Sequence, residues 1–111
     1  MYKLSYSETF DDDIEATRDY IIDELDEPSI AENLFTKLIE KIEHIEVSPY
    51  TWALLQDNDL ALLGFRSLQV KKYRLIYVVN EENKIVRLVR FLHSRTDWMN
   101  ITKESIDQNQ D

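Results

Sequence analysis

The chain has 111 residues, a formal net charge of −9, 43% hydrophobic and 11% aromatic residues, one glycine, two prolines and no cysteine. This composition supports a packed core and excludes a disordered chain, a disulfide framework and a thiolate metal site. A single domain over residues 1–111 is expected, since domains commonly run to about 100–150 residues.

Charge is unevenly placed. Residues 1–62 carry 4 Lys and Arg against 16 Asp and Glu, residues 63–99 carry 8 against 3, and residues 100–111 carry 1 against 3. An acidic first half is thus joined to a basic second half. The opening MYKLSYSETFDDD has no basic region followed by an apolar run, and no stretch approaches the roughly 20 apolar residues that cross a bilayer. A cytoplasmic protein with no membrane partner is expected, and the lack of cysteine suits that compartment.

The first element is a strand, with Tyr2, Leu4 and Tyr6 alternating against Lys3 and Ser5. Ser7 is placed to cap a helix whose inner stripe is Phe10, Ile14, Thr17, Ile21 and Leu25, with its acids facing out. Pro28 closes that helix, and Ser29 with Glu32 reads as the capping box of a second one. The second helix buries Ile30, Leu34, Phe35, Leu38, Ile42 and Ile45, and ends before Pro49. Residues 50–64 read either as a loop or as a short helical turn ending at Gly64. Three strands follow, FRSLQV, YRLIYVV and KIVRLVRFLH, with NEEN as the turn between the last two. The tail, 99–111, reads as a short helix or a frayed end.

The order strand, helix, helix, three strands predicts an α+β fold, β-α-α-β-β-β. Its helical hairpin packs on one face of a mainly antiparallel sheet. Pairing Val79 with Lys84 across NEEN places Tyr73, Leu75, Tyr77, Val86, Leu88 and Leu92 on the helix side. The opposite, half-exposed face then collects Lys72, Arg74, Arg87 and His93, and a two-residue turn at Lys71-Lys72 adds Gln69 beside Arg74. Trp98 reads first as a packing anchor and otherwise as a stacking platform. Asp97 reads as a partner of Arg95 or a cap for the last helix. Two histidines without an HExxH arrangement give no metal signal, and no cofactor is expected.

Three segments carry a resemblance. Gly64-Phe65-Arg66-Ser67-Leu68, Tyr73-Arg74-Leu75-Ile76-Tyr77 and Leu92-His93-Ser94-Arg95-Thr96-Asp97 resemble, in order and spacing, the C-terminal half of the RelE/ParE toxin superfamily. The first half is similar in organisation. The resemblance implies a toxin of a bacterial type II toxin–antitoxin module, a plasmid-stabilisation type of protein, with a cognate antitoxin as partner; a homodimer is also admitted.

Two activities follow from the two branches of that superfamily. RelE-like members cleave mRNA on the ribosome, which here would enlist His93 as acid or base and Arg74, Arg87 and Arg95 as cationic stabilisers. ParE-like members poison DNA gyrase and lack the nuclease residues. The His-x-Arg-x-Asp ending is more similar to the ParE side, which makes the cationic strand end a gripping surface. Lys71, Lys72, Arg66, Gln69 and Trp98 are its expected binding residues. A binding module of the same shape without toxicity is the remaining alternative.

Overall fold

A computed structural model describes residues 1–108. The element order is β1 Lys3–Tyr6, α1 Glu8–Asp19, α2 Pro28–Val47, α3 Asn58–Leu62, β2 Phe65–Val70, β3 Tyr73–Asn80, β4 Ile85–His93 and α4 Trp98–Gln108. The strands form one sheet in the order β1-β4-β3-β2. β1 runs parallel to β4, and the other two pairings are antiparallel. The expected α+β order is therefore present, with α1 and α2 on one face. No helix of the described residues is long and apolar enough to cross a membrane.

α1 starts where the sequence places it. Ser7 is extended, and its hydroxyl accepts from the Phe10 N–H at 2.9 Å. The helix does not end cleanly, because Tyr20–Glu24 widen into a π-helical turn in which the Leu25 N–H reaches the Tyr20 carbonyl at 3.1 Å. The extra residue rotates Leu25 off the inner stripe, leaving it 46% exposed. α2 begins two residues earlier than the capping box requires. Pro28 occupies its first turn and no side chain caps it, which suits a residue with no N–H to satisfy there. Ile30, assigned to the core by periodicity, stands on this first turn and is 48% exposed.

Register decides which side chains share a face, and here the structure corrects the sequence reading. Val79 pairs with Val86 rather than Lys84, because residues 81–84 form a four-residue connection. Tyr77 pairs with Leu88 but Ile76 pairs with Arg90, so Val89 is an extra residue, a β-bulge. Beyond it the alternation of β4 inverts. Phe91 joins Leu75, Tyr77, Val86 and Leu88 in the core beneath α1 and α2, whereas Leu92 turns to the other side. His93 goes with Phe91, not with Arg74.

The other face is covered as well, which overturns the expectation of a half-exposed cationic surface. Leu55, Leu60, Phe65 and Ile76 are buried there, with Val78, Val89, Leu92, Trp98, Met99 and Ile106 packed on them. The helical alternatives hold for 50–64 and for the tail as far as residue 108. Asp57 caps α3 by accepting from the Leu60 N–H at 3.1 Å, and Gly64 ends it at φ +88°, a conformation side chains with a Cβ rarely adopt. The remainder of the tail lies outside the described residues.

One acid turns inward, against the reading of α1 as acidic on its outer face. β1 stops at Tyr6, so the last residues of β4 have no strand beside them. Asp13 of α1 fills the gap: its Oδ2 accepts from the Phe91 N–H at 3.0 Å and from Arg90 Nε at 2.8 Å, and its Oδ1 from Arg90 Nη2 at 2.9 Å. Arg90 also donates to the Ser105 hydroxyl of α4. The Asp13 and Arg90 side chains are 11% and 12% exposed, so Asp13→Ala strands a charge that water reaches poorly. It should cost about 3–5 kcal/mol in denaturant unfolding, whereas Glu81→Ala, which breaks the exposed pair with Lys84, should leave the unfolding midpoint nearly unchanged. Leu88→Ala, at 0% exposure, should cost about 2–5 kcal/mol, and a value near zero would reverse the assignment of faces.

Candidate functional site

The cationic residues converge at one end of the sheet, where the β2–β3 turn meets the exit of β4. Lys71 and Lys72 form a two-residue turn, Lys71 at φ +55°. The Lys72 carbonyl accepts from the Ser94 N–H at 2.9 Å, tying that turn to the segment after β4. Gln69 Nε2 donates to the Lys71 carbonyl at 2.8 Å and to the Ser94 hydroxyl. Gln69 faces Arg74 as expected, accepting from its Nη1 at 3.0 Å.

Arg74 is held on four sides. Besides Gln69, its Nε donates to the Ser67 hydroxyl at 3.1 Å, its guanidinium lies 5.0 Å from the centre of the Trp98 ring, and Leu92 is its neighbour across the strand pair. Partial burial lowers its pKa without uncharging it. Trp98, the first residue of α4, is thus both packing anchor and the surface on which Arg74 lies. Asp97 precedes it, and its carbonyl accepts from the Ile101 N–H at 2.9 Å while its carboxylate accepts from Asn100 Nδ2 at 2.8 Å. Asp97 belongs to the start of α4 and makes no ion pair with Arg95 among the described residues.

His93 lies across the sheet from Arg74. Its ring stands edge-on to Tyr73 at 5.1 Å, and Tyr73 stacks on Phe91 at 5.0 Å. Burial first, and then nearby Tyr20, raise the Tyr73 pKa. The Nδ1 of His93 accepts from the Arg95 N–H at 3.1 Å. The neutral ring then carries its proton on Nε2, and the lone pair that a general base needs is already engaged. The Arg95 side chain points into solvent.

Two residues of the expected set lie elsewhere. Arg66 is on the α2 face, donating to the Trp52 carbonyl at 2.7 Å with its guanidinium 4.9 Å from the Tyr50 ring. It holds Tyr50 and Trp52, and Tyr77 holds the preceding Pro49, its hydroxyl donating to the Pro49 carbonyl at 2.5 Å and its pKa pushed by burial to about 12. Arg87 sits near the start of β4, donating to the Ser5 hydroxyl at 2.7 Å. His93 is six positions further along the strand, roughly 20 Å away. The other histidine, His44, lies 4.7 Å from the Trp52 ring, and no group of three His, Asp or Glu among the described residues is placed to hold a metal ion.

Beside His93 opens a groove of about 480 Å³ that no sequence pattern foreshadows. Tyr20, Leu25 and Ile30 from the helical side face Lys71, Lys72 and Tyr73 across it. The π-helical turn makes it, by carrying Tyr20 and Leu25 outward. Exposure of apolar residues in a helical stripe was the missing signal, and periodicity alone assigns both Leu25 and Ile30 to the core.

The helix above Arg74 is fastened by charge. Lys103 Nζ lies 3.3 Å from Asp57 Oδ2 and 3.0 Å from Asp59 Oδ2, joining α4 to α3. The Leu60 N–H foremost, then Lys103, hold the Asp57 carboxyl below its usual range. A depressed carboxyl contributes stability above its unfolded pKa of about 3.9 and loses it as pH falls through the lower folded value. Acid titration followed by Trp98 fluorescence should therefore show α4 loosening below about pH 4, and Asp57→Asn should flatten that dependence.

Comparison with known proteins gives the same fold. A family model described as the ParE toxin of type II toxin–antitoxin systems, parDE, matches residues 4–98. No curated protein matches the chain. A chain of the chromosomal ParDE system from P. aeruginosa is similar with a TM-score of 0.65 at 17% identity, over 84% of this chain and 96% of that one. The YoeB/ParE toxin from Agrobacterium tumefaciens gives 0.62 at 17% identity, over 82% and 96%. A chain of the intact E. coli RelBE toxin–antitoxin complex gives 0.60 at 16% identity, over 86% and 100%. At such identities the likeness to solved structures is one of fold, and activity has to be argued from the site.

Proposed function

The chain belongs to the family of ParE toxins and is the toxin of a type II toxin–antitoxin system, and from that premise we propose that it arrests growth by docking on a protein target, DNA gyrase, rather than by cutting mRNA. One observation carries the choice: the groups that a ribonuclease needs do not face a common point. Cleavage at a ribose requires a base at the 2′-hydroxyl, cations at the phosphorane and an acid at the leaving oxygen, all within about 3 Å of the reacting atoms. Here His93 is on the α1–α2 side of the sheet with its Nδ1 engaged, Arg74 is on the α4 side against Trp98, and Arg87 lies at the far end of β4.

Lys71, Lys72, Gln69 and Arg95 remain as an exposed cationic corner, suited to a partner's carboxylates. In this reading Arg74 and Trp98 shape that corner, His93 supports it, and Arg66 and Arg87 hold structure. The cognate antitoxin is the second partner.

The test separates DNA synthesis from translation. On induction in growing cells, labelled DNA synthesis should stop first, and the purified chain should inhibit gyrase supercoiling and trap broken DNA. His93→Ala should leave growth arrest unchanged within about twofold, because a base contributes roughly 10²–10⁴ where it acts. Codon-register cutting of mRNA on purified ribosomes, lost in His93→Ala, would refute the reading.

A further inference from the structure

The groove at the tip of the helical hairpin has walls of two kinds. Tyr20, Leu25 and Ile30 are 51%, 46% and 48% exposed on its helical side, an unusual cluster of large apolar side chains left to water. The opposite wall is cationic, from Lys71 and Lys72, with the His93 ring beside them. Neither lysine has a carboxylate within ion-pair distance among the described residues, and no carboxylate lines the groove. Its volume of about 480 Å³ lies within the range of about 300–1,000 Å³ of sites that enclose a ligand. The acids nearest in sequence, Asp23, Glu24, Asp26 and Glu27, stand outside the lining, on the hairpin side.

From this we infer that the groove seats a segment of the cognate antitoxin that is apolar on one side and acidic on the other. A bulky apolar side chain enters between Tyr20, Leu25 and Ile30, and one or two carboxylates next to it in the segment meet Lys71 and Lys72. The carboxylates must lie on the lysine side alone, because Asp23, Asp26 and Glu27 repel them from the other. The apolar wall favours the antitoxin over the growth-arrest target. Partners that stay bound bury the more hydrophobic surfaces, and an uncovered apolar patch promotes aggregation in a free protein. The inference rests on the toxin–antitoxin assignment and is independent of which target the toxin arrests.

The experiment measures affinity of the purified full chain for the antitoxin encoded beside it, by calorimetry at low and high salt. Lys71→Glu/Lys72→Glu should weaken binding at least about tenfold, with a flatter salt dependence, while Arg87→Glu, at the other end of the sheet, should not. Ile30→Asp should weaken it to a similar degree. Both groove variants should keep the parent's thermal midpoint, since the three positions are exposed, and Ile30→Asp, outside the cationic corner, should still arrest growth in cells that the antitoxin no longer rescues. Affinities within twofold of the parent in both variants would overturn the inference. So would loss of growth arrest with antitoxin affinity intact, which would assign the groove to the target. The gyrase reading can fail without altering this affinity, so the two failures are told apart.

Discussion

The carboxylate of Asp13 is where the layers of this protein meet. β1 is four residues long and leaves the second half of β4 without a neighbour on that side. A bare Phe91 N–H in that position would be an unpaired donor at the edge of the core. Asp13 satisfies it from α1, and the same carboxylate holds Arg90, which reaches on to Ser105 of α4. One acid thus joins the helix on one face, the strand in the middle and the helix on the other face. The bulge at Val89 belongs to the same arrangement. Without the extra residue Phe91 would point away from α1 and α2, and the core there would lose one of its largest side chains, now 1% exposed.

That inversion also governs the chemistry. In a regular strand His93 would share a face with Arg87 and, across the pair, with Arg74, and the three would form a cationic row with a titratable end. The bulge sends His93 to the opposite side and Leu92 into contact with the α4 layer. Trp98 then closes over Arg74, so its guanidinium is spent on Ser67, Gln69 and an indole face. A guanidinium so engaged costs free energy to withdraw for a phosphate, because its present partners would be left unpaired. At this end of the sheet Lys71, Lys72 and Arg95 sit on turns without an ion-pair partner among the described residues, which suits a protein surface better than a reaction centre that demands fixed geometry.

The elements themselves were legible because each rests on a local signal. Ser7 before Phe10, Pro28 between the two helices and the period-two pattern from Phe65 onward each act over a few residues. The Gln69–Arg74 neighbour pair was legible for the same reason, since a two-residue turn fixes register at once. What failed was non-local. Nothing in KIVRLVRFLH marks Val89 as the extra residue, since every position is an acceptable strand residue and the bulge is chosen by the fit of Phe91 beneath α1. Asp13 is indistinguishable in sequence from Asp11 and Asp12, which remain exposed. Leu25 and Ile30 match a helical period, but the π-helical turn breaks it, and the groove exists only because that period is broken.

The uneven charge acquires a physical meaning in this arrangement. The helical hairpin carries most of the acids, and Lys71 and Lys72 face its tip across the groove. A polyanion such as mRNA approaching the cationic corner must do so against a chain of net charge −9, and phosphate contacts are the principal source of affinity for such a ligand. A protein partner faces no such conflict, because it can set carboxylates against Lys71 and Lys72, apolar side chains against Tyr20 and Leu25, and basic residues against Asp23 and Glu27. Complementarity of that mixed kind raises the rate of encounter and rejects partners with the wrong pattern. The separation of charge is therefore a device for selecting proteins, and its sign pattern specifies the complementary pattern that an occupant must carry.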